Sequence, residues 1–387
     1  MSPRPETAAP SWTSYRAEFP IFETATYLNT CSLAPLARPV AEAVAEYLRL
    51  WHHQGAAAWY GPWWQEIATL RQRIARVIGA APEEVALFPN VTSALIAAAS
   101  ALDFRARSRV VISALEFPTT RYLWQTDSAV EPVVLGSPEE VAIPLEAYEA
   151  AVDERTALVV GSHVYFTSGM VQDIGGLARL AHASGASCLV DAYQSVGQLP
   201  LDVRAAGVDF LVGGTLKWLL GGSGVAFLYV RRELLGRLRP EAVGWFAHRD
   251  QFAFAPAFDY AGDARRFEGG TPSVAAVYAA SAGLAMVLEI GVDRLRARQL
   301  ELVADLVERA REAGLRPRVP ADLRRHAGIV TIPRADPPAV VHGLREAGVL
   351  VDNRPGIVRV SPFFFNVSDD HRRAVEAFRA LESHGIM

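Results

Sequence analysis

Residues 208–224, VDFLVGGTLKWLLGGSG, place a lysine after an apolar run and before a glycine-rich turn. The apolar run predicts a strand that is buried on both faces. The flanking glycines let the backbone turn sharply and approach a ligand closely. Lys217 is the only lysine among 387 residues, and the other 37 basic residues are arginines. Because an arginine cannot lose its proton and attack a carbonyl, Lys217 marks where amine chemistry is expected.

Outward from this stretch, short apolar runs alternate with helical patterns between residues 70 and 235. This alternation predicts a mostly parallel, seven-stranded sheet covered by helices on both faces. Ligands of such sheets bind at the carboxyl ends of the strands. The seven runs are Val85–Phe88, Val110–Ser113, Pro132–Leu135, Ala157–Ser162, Ser187–Asp191, Val208–Gly213 and Val225–Val230.

The rest of the chain predicts two further units around this large domain. We divide it into an N-terminal segment (1–30), a large α/β domain (31–272) and a smaller C-terminal α/β domain (273–387). Residues 244–272 show neither helical nor strand periodicity and predict a functional loop region. Outside the sheet region, helices are predicted at 36–75, 274–290, 292–314, 337–347 and 368–384, and strands at 327–333 and 357–361.

Composition excludes several classes of protein. Hydrophobic residues make up 51% and charged residues 21%, as in a globular chain with a large core. The net charge of −4 gives no reason to expect nucleic acid or an anionic membrane as a partner. No apolar run approaches the roughly 18 residues of a membrane span, and the first residues are polar and proline-rich, without the apolar core expected of a signal peptide. Cys31 and Cys188 are too few for a disulfide framework or a zinc cluster, so we expect a cytoplasmic protein without a metal.

Pyridoxal phosphate is a cofactor that reacts with a lysine amine of this kind. It also needs an anion at its pyridine nitrogen, a partner for its π-face and a phosphate cradle. Lys217 supplies the amine, because a desolvated amine among apolar neighbours has a lowered pKa and becomes nucleophilic. Asp191, at the end of a buried run, would keep the pyridine nitrogen protonated; its alternative role is to cap the next helix. Gln194 would reach the phenolic oxygen of the ring or the imine region.

Candidates for the phosphate cradle and the stacking partner also follow predicted strands. Thr92 and Ser93 open an alanine-rich helix, whose N-terminus is either an anion site or a plain N-cap. Thr215 and Thr271 are further hydroxyl candidates. Phe117 follows a strand and either stacks on the ring or belongs to the core.

Four residues are candidates for contacts with a substrate or for proton transfer. The planar guanidinium of Arg359 suits a substrate α-carboxylate. His163 ends a predicted strand and is a candidate acid, base or cofactor contact. His52 and Trp245 are candidates for the substrate pocket, and the aromatic residues around them indicate either an apolar or aromatic substrate or a packed core.

Together these motifs resemble the class V branch of the fold-type-I pyridoxal-phosphate enzymes. The resemblance covers most of the chain and implies a fold-type-I transferase fold and a homodimer with shared active sites. The motifs, in order, are YLNTCSLAPL (27–36), NVTSA (90–94), EFP (116–118), SHVYFTSGMVQDI (162–174), DAYQSVGQLPLDV (191–203), GTLKWLLGGSG (214–224), RRFEGGTP (265–272) and RVSPFFFN (359–366).

The resemblance also implies a role for each candidate residue. Lys217 would carry the imine, Asp191 would pair with the pyridinium and Arg359 would bind the substrate carboxylate. Phe117 would stack on the ring. The residues implied to hold phosphate are Val91, Thr92 and Thr215, with Thr271 reaching the phosphate of the neighbouring subunit.

Within this branch the chain is most similar to kynureninases, through HVYFTSGMVQDI, GWFAHRDQFAFAP and the spacing of His52, Gly55 and Trp59. Kynureninases carry a tyrosine immediately before the lysine, where this chain has Leu216. Desulfurases need a thiol shortly before the segment that corresponds to RVSPFFFN, and no cysteine follows Cys188. The expected activity is therefore bond cleavage in an α-amino acid, either kynureninase-like hydrolysis or β-elimination. Transamination is the alternative, and a cofactor-binding regulator without turnover is a distant one.

Overall fold

The computed structural model describes residues 11–137 and 141–383, so residues 1–10 of the predicted N-terminal segment lie outside it. The strands are β1 (Thr26–Tyr27), β2 (Val85–Phe88), β3 (Arg109–Ser113), β4 (Glu131–Leu135), β5 (Thr156–Ser162), β6 (Ser187–Asp191), β7 (Phe210–Gly214), β8 (Ala226–Val230), β9 (Val330–Pro333), β10 (Val349–Leu350), β11 (Asp352–Arg354) and β12 (Ile357–Val360). The helices are α1 (Trp12–Ala17), α2 (Arg38–Gln54), α3 (Pro62–Ile78), α4 (Val91–Ser100), α5 (Pro118–Thr126), α6 (Leu145–Ala151), α7 (Ile174–Ala183), α8 (Val203–Ala206), α9 (Arg232–Leu235), α10 (Val274–Ile290), α11 (Val292–Glu312), α12 (Pro337–Glu346) and α13 (Ser368–Ser383).

The large sheet confirms the sequence prediction. Its seven strands run in the order β2-β8-β7-β6-β5-β3-β4. All neighbours are parallel except β8, which runs antiparallel to both β2 and β7. Each of the seven apolar runs forms one of these strands. Since five neighbouring strands are parallel, their carboxyl ends meet at one edge, where a ligand site is expected.

Two hydrophobic clusters cover the two faces of this sheet. Alternate residues of a strand point to opposite faces, so Val159 of β5 joins one cluster and Leu158 joins the other. The first cluster includes the buried faces of α3, α7 and α10, and the second includes those of α4 and α5. Burial on both faces explains why these strands read as uninterrupted apolar runs.

The C-terminal part of the chain forms a smaller unit. Its sheet has the antiparallel order β11-β12-β9, and α11, α12 and α13 share a hydrophobic cluster with it. The N-terminal segment also contributes, because β1 pairs in parallel with β10 and Leu28 joins the same cluster. Helix α10 packs against α2 and α3 of the larger unit. The boundaries at 30 and 272 stay predictions.

The aperiodic stretch 244–272 contains three short 3-10 turns and is otherwise irregular. Phe254 is 76% exposed there, and Phe258 is exposed as well. Among the described helices, none is by itself long and apolar enough to cross a membrane. Helices α10 and α11 reach that length and composition only as a pair, across a bend of 81°.

Candidate active site

A cavity of about 370 Å³ opens at the carboxyl ends of β5, β6 and β7. It brings together residues from separate parts of the sequence because the parallel strands end at the same edge. Six of the predicted site residues line it: Val91, Thr92, Phe117, Asp191, Gln194 and Lys217. Its volume falls at the lower end of the range for ligand pockets, which is about 300–1,000 Å³.

Lys217 lies in the turn between β7 and β8 and is 8% exposed. Its carbonyl accepts a hydrogen bond of 3.1 Å from the Leu220 N–H, and Leu220 has a left-handed φ of 60°. Such a conformation strains a residue other than glycine, which is typical of functional turns. Burial lowers the pKa of the Lys217 amine to about 7; Cys31 opposes this shift and the Arg359 charge adds to it. A large share of the amine is therefore neutral near pH 7.

Tyr193 lies beneath the lysine, with the Lys217 Nζ 4.3 Å from its ring centroid. This arrangement requires Gly214, because a Cβ at that position would lie 2.0 Å from the Tyr193 ring. Tyr193 was not among the predicted site residues, although it stands between Asp191 and Gln194. The glycine preceding Thr215 thus lets the Tyr193 ring lie close against the backbone of the site.

Asp191 is the last residue of β6 and is 7% exposed. Its Oδ1 accepts a hydrogen bond of 2.8 Å from the Tyr193 N–H. Burial raises the pKa of the Asp191 carboxyl, while that N–H and the Lys217 charge act in the opposite direction. The alternative role as a helix cap is not adopted, because the next helix, α8, is capped by Asp202.

The N-terminus of α4 forms another wall of the cavity. Asn90 is the N-cap, and its Oδ1 accepts the Ser93 N–H at 2.9 Å. Ser93 therefore takes part in the cap and lines a neighbouring cavity of about 360 Å³. Val91 and Thr92 face the Lys217 cavity from a helix end that carries partial positive charge.

Apart from Arg359, five predicted site residues do not line this cavity: His163, Thr215, Thr271, His52 and Trp245. The Thr215 hydroxyl donates to the Gly222 carbonyl at 3.1 Å. Thr271 lines the neighbouring cavity beside α4. His163 is buried, and burial lowers its pKa to about 4, so its imidazole is neutral. His52 and Trp245 are exposed, and the roles of all five stay predictions.

Arg359 is fully buried on β12, next to the cavity rather than on its wall. Its guanidinium donates to the Phe166 carbonyl at 2.8 Å and to the Ser32 hydroxyl at 3.0 Å, and it forms an ion pair with Asp352. Arg354, which the sequence analysis did not nominate, lines the cavity and binds the same carboxylate. Burial acts to raise the pKa of Asp352, but the arginine charges hold it below its usual value.

We call Asp352, Arg354 and Arg359 the arginine end of the site. The lysine end comprises Lys217, Asp191, Tyr193 and Glu116, a buried carboxyl behind the cavity. Between them lies a wall that includes Phe117 and Phe166, whose rings meet edge to face at 5.2 Å. The site thus joins a partly neutral amine, a carboxyl group and cationic groups around an apolar wall.

This donor set fits pyridoxal phosphate. A buried amine with a lowered pKa stands near a carboxyl group, an aromatic ring and a helix N-terminus. When bound to a substrate amino acid, that cofactor draws electrons away from the substrate Cα. The residues of this chain would hold the cofactor, orient the substrate and accept or return a proton.

Comparison with known proteins agrees with this fit. Residues 26–367 match the family model Aminotransferase class-V. The chain is 37% identical to an uncharacterized aminotransferase, YcbU, of Bacillus subtilis, covering 96% of this chain and 98% of that protein. It is 30% identical to the isopenicillin N epimerase of Amycolatopsis lactamdurans, covering 96% and 99%. It is 29% identical to the kynureninase of Pseudomonas fluorescens, covering 89% and 86%.

Solved structures show the same fold. The cysteine desulfurase of Thermococcus onnurineus superposes with a TM-score of 0.87 at 23% identity, covering 98% of this chain and 99% of that one. A C-DES variant with glycine linked to its PLP cofactor gives a TM-score of 0.87 at 20% identity, covering 94% and 98%.

The chain belongs to the class V aminotransferase family and is a pyridoxal-phosphate-dependent enzyme. The predicted family, fold and cofactor are therefore confirmed, and kynureninases are among its relatives. The role of each residue and the reaction are not decided by family membership.

Proposed function

We propose that the enzyme cleaves a bond in an α-amino acid, by kynureninase-like hydrolysis or by β-elimination. The observation that carries this proposal is the partly neutral amine of Lys217, buried in one cavity with Asp191 and Arg354. A base with a pKa near the working pH accepts and returns protons efficiently. The cavity would hold the substrate Cα and Cβ within reach of this amine.

In this proposal Lys217 first binds the cofactor and then acts as the base at the substrate Cα. Asp191 pairs with the pyridine nitrogen and Phe117 stacks on the ring. Gln194 lies in contact with the ring oxygen. The phosphate contacts are proposed for Val91, Thr92, Thr215 and, across a dimer interface, Thr271.

The substrate carboxylate would be bound at the arginine end, by Arg359 together with Arg354. His163 remains a candidate acid, base or cofactor contact. His52 and Trp245 lie outside the cavity of their own chain, and we propose that they reach the site of a partner subunit. The proposed assembly is a homodimer with shared active sites, and the proposed location is the cytoplasm.

Cysteine desulfuration is less well supported than cleavage without a thiol nucleophile. Cys188 is fully buried within β6, and burial raises the pKa of its thiol, so it is unreactive. No cysteine follows it in the chain. Kynureninase-like hydrolysis and β-elimination both proceed without such a thiol.

Transamination is the second candidate, because YcbU, the 37% identical relative, is named an uncharacterized aminotransferase. The two candidates share the role of Lys217 as base. They differ in where the proton returns and in whether the amino group leaves with the product.

The decisive experiment is a substrate screen of the purified holoenzyme. Kynurenine, S-substituted cysteines and amino-acid/keto-acid pairs are supplied, and anthranilate, pyruvate with thiol, or a new amino acid is measured. We expect anthranilate or pyruvate, with no turnover by the Lys217→Ala variant. Formation of a new amino acid only, from a keto-acid acceptor, would replace the proposal with transamination.

A further inference from the structure

Glu116 is a buried carboxyl group that has no role in the proposed function. It follows β3, and its side chain is 1% exposed. Within residues 11–137 and 141–383, no ion pair joins this carboxyl to a cation. A carboxylate without a cation is costly to bury, so this environment favours the neutral acid.

Both oxygens of Glu116 meet the same residue, Ser162. The Ser162 N–H donates to Oε1 at 2.9 Å, and the Ser162 hydroxyl lies 2.5 Å from Oε2. Ser162 ends β5, lines the Lys217 cavity and is in register with Asp191 on β6. Glu116 therefore stands directly behind the cavity wall, one side chain away from the cavity.

The charges around Glu116 act in both directions. Burial raises the pKa of the Glu116 carboxyl to about 8; the Ser162 hydrogen bonds oppose this shift and the Asp191 charge adds to it. The Arg121 charge, from α5, also opposes it.

Two tyrosines interact electrostatically with Glu116, Tyr148 of α6 and Tyr165 after β5. Burial raises the pKa of each phenol, and the charge of Glu116 contributes to both shifts. Neither tyrosine supplies a positive charge that would favour ionised Glu116.

We propose that neutral Glu116 is a positioning residue for the cofactor. It holds the Ser162 hydroxyl oxygen, and it allows Asp191 to face the pyridine nitrogen without a second negative charge beside it. The neutral acid donates its O–H to the Ser162 oxygen, so the hydroxyl hydrogen of Ser162 is free to point into the cavity. When Glu116 loses its proton to solvent, the carboxylate takes the Ser162 hydrogen bond for itself. It also places a negative charge near Asp191, and Asp191 is then driven to keep its own proton. This inference rests on the role proposed for Asp191 but not on which reaction follows.

The test is cofactor binding to the apoprotein at about pH 6 and about pH 9, on either side of the Glu116 pKa of about 8. Wild type is compared with Glu116→Gln, whose amide imitates the neutral acid but cannot ionise. At low pH the two should bind pyridoxal phosphate alike. At high pH wild type should bind on the order of tenfold more weakly than the variant, the effect of about one pKa unit of charge interaction. The ratio of the two cofactor affinities cancels the titration of Lys217 and of the cofactor, because both titrate in each protein.

Glu84→Gln is the matched control, because Glu84 is also buried but lies in an ion pair with Arg204 away from the cavity. The ratio of its cofactor affinity to that of wild type should not change with pH. If Glu116→Gln weakens binding equally at both pH values, Glu116 is a structural spacer only and the proposal is wrong.

Stability of the apoprotein supplies a readout that does not involve the cofactor. A folded-state pKa raised above the usual 4.5 gives stability that is full below about pH 4.5 and is lost as pH rises to about 8. The stability of wild type minus that of Glu116→Gln should therefore fall across this window. If this fall occurs while the ratio of cofactor affinities stays flat, Glu116 titrates without acting on the cofactor, and the proposal is overturned.

Ser162→Ala keeps the inference testable if Glu116→Gln does not fold. Removing the hydroxyl removes a hydrogen bond from both forms of Glu116, but the bond to the carboxylate is the stronger one, so the loss of cofactor affinity should move to higher pH. An unchanged midpoint would contradict the proposal. Failure of the Asp191 role is detected separately, because Asp191→Asn would then leave cofactor affinity unaltered at every pH.

Discussion

The two ends of the active site differ in whether their buried groups keep their charge. At the lysine end, burial lowers the pKa of Lys217 and raises those of Asp191 and Glu116. At the arginine end, Arg359 is fully buried and still paired with an Asp352 carboxylate whose pKa is lowered. The difference is the partner: ion pairs within hydrogen-bonding distance preserve charge, whereas burial without them favours neutral forms.

The two ends suit different chemical functions. A group that exchanges protons during a reaction benefits from a pKa near the working pH, as Lys217 has. A group that binds a carboxylate benefits from a permanent charge, as an arginine has. The site therefore separates proton transfer from charge recognition.

The largest effect is expected at Lys217. Lys217→Ala should lower kcat by roughly 10³-fold or more, as expected for loss of a general base, and should abolish the visible absorption of the holoenzyme. Lys217→Arg, which keeps the charge, should do the same because arginine holds its proton. Measurable turnover in Lys217→Arg would show that the lysine end needs only a cation. The two ends would then not differ in their need for proton transfer.

The pH dependence of the apoprotein tests the same residue without turnover. The unfolded chain carries a proton on Lys217 up to about pH 10.5, whereas the folded amine loses it near pH 7. The stability of wild type relative to Lys217→Met should therefore rise between about pH 7 and 10.5. Urea unfolding at several pH values measures this, and a flat difference would show that the folded amine is not desolvated.

Asp191 should give the next largest effect. Asp191→Asn removes a charged partner of the cofactor, and hydrogen bonds to charged groups contribute about 1.5–3 kcal/mol, so cofactor affinity should fall about 10- to 100-fold. Titration of the apoprotein with pyridoxal phosphate gives the dissociation constant. Glu84→Gln again serves as a control for altering a buried carboxylate elsewhere, and equal losses in both variants would remove the special role of Asp191.

At the arginine end, Asp352→Asn should mainly change stability. It leaves Arg359 buried without its carboxylate, and breaking a buried pair in this way costs about 3–5 kcal/mol. Urea denaturation of the apoprotein measures the loss. Asp322→Asn, in an exposed pair with Arg324, should change little. A stable Asp352→Asn variant would mean that the ion pair does not maintain the charge of Arg359.

The wall between the two ends should respond least. Phe117→Leu removes a ring that would stack on the cofactor, and such contacts contribute about 0.5–1.5 kcal/mol, so cofactor binding should weaken about 2- to 10-fold. Tyr122→Leu, an exposed aromatic position on α5, is the control and should leave binding unchanged. Equal binding by Phe117→Leu and wild type would make Phe117 a packing residue only.

Much of the fold was predictable because buried parallel strands produce uninterrupted apolar runs. All seven runs form the seven strands of the large sheet, and the starts of α10 and α11 lie where the pattern predicts them. The pairing of β1 with β10 was not predictable, because two-residue strands have no periodicity. Six of the residues that line the Lys217 cavity were predicted as site residues. Arg354 and Tyr193, which also line it, and Glu116 behind it were not predicted, since a single arginine, tyrosine or glutamate carries no local signal.

The cofactor chemistry could be predicted from the order of residues alone, because the unique lysine follows one apolar run, an aspartate ends another and the motifs around them resemble a known class of enzymes. The electrostatic state of the site depends instead on the folded chain. Whether Lys217 is neutral, Arg359 is paired or Glu116 lacks a cation depends on distances between residues far apart in the chain. Those distances arise from packing, and burial and pairing together set the pKa of each group.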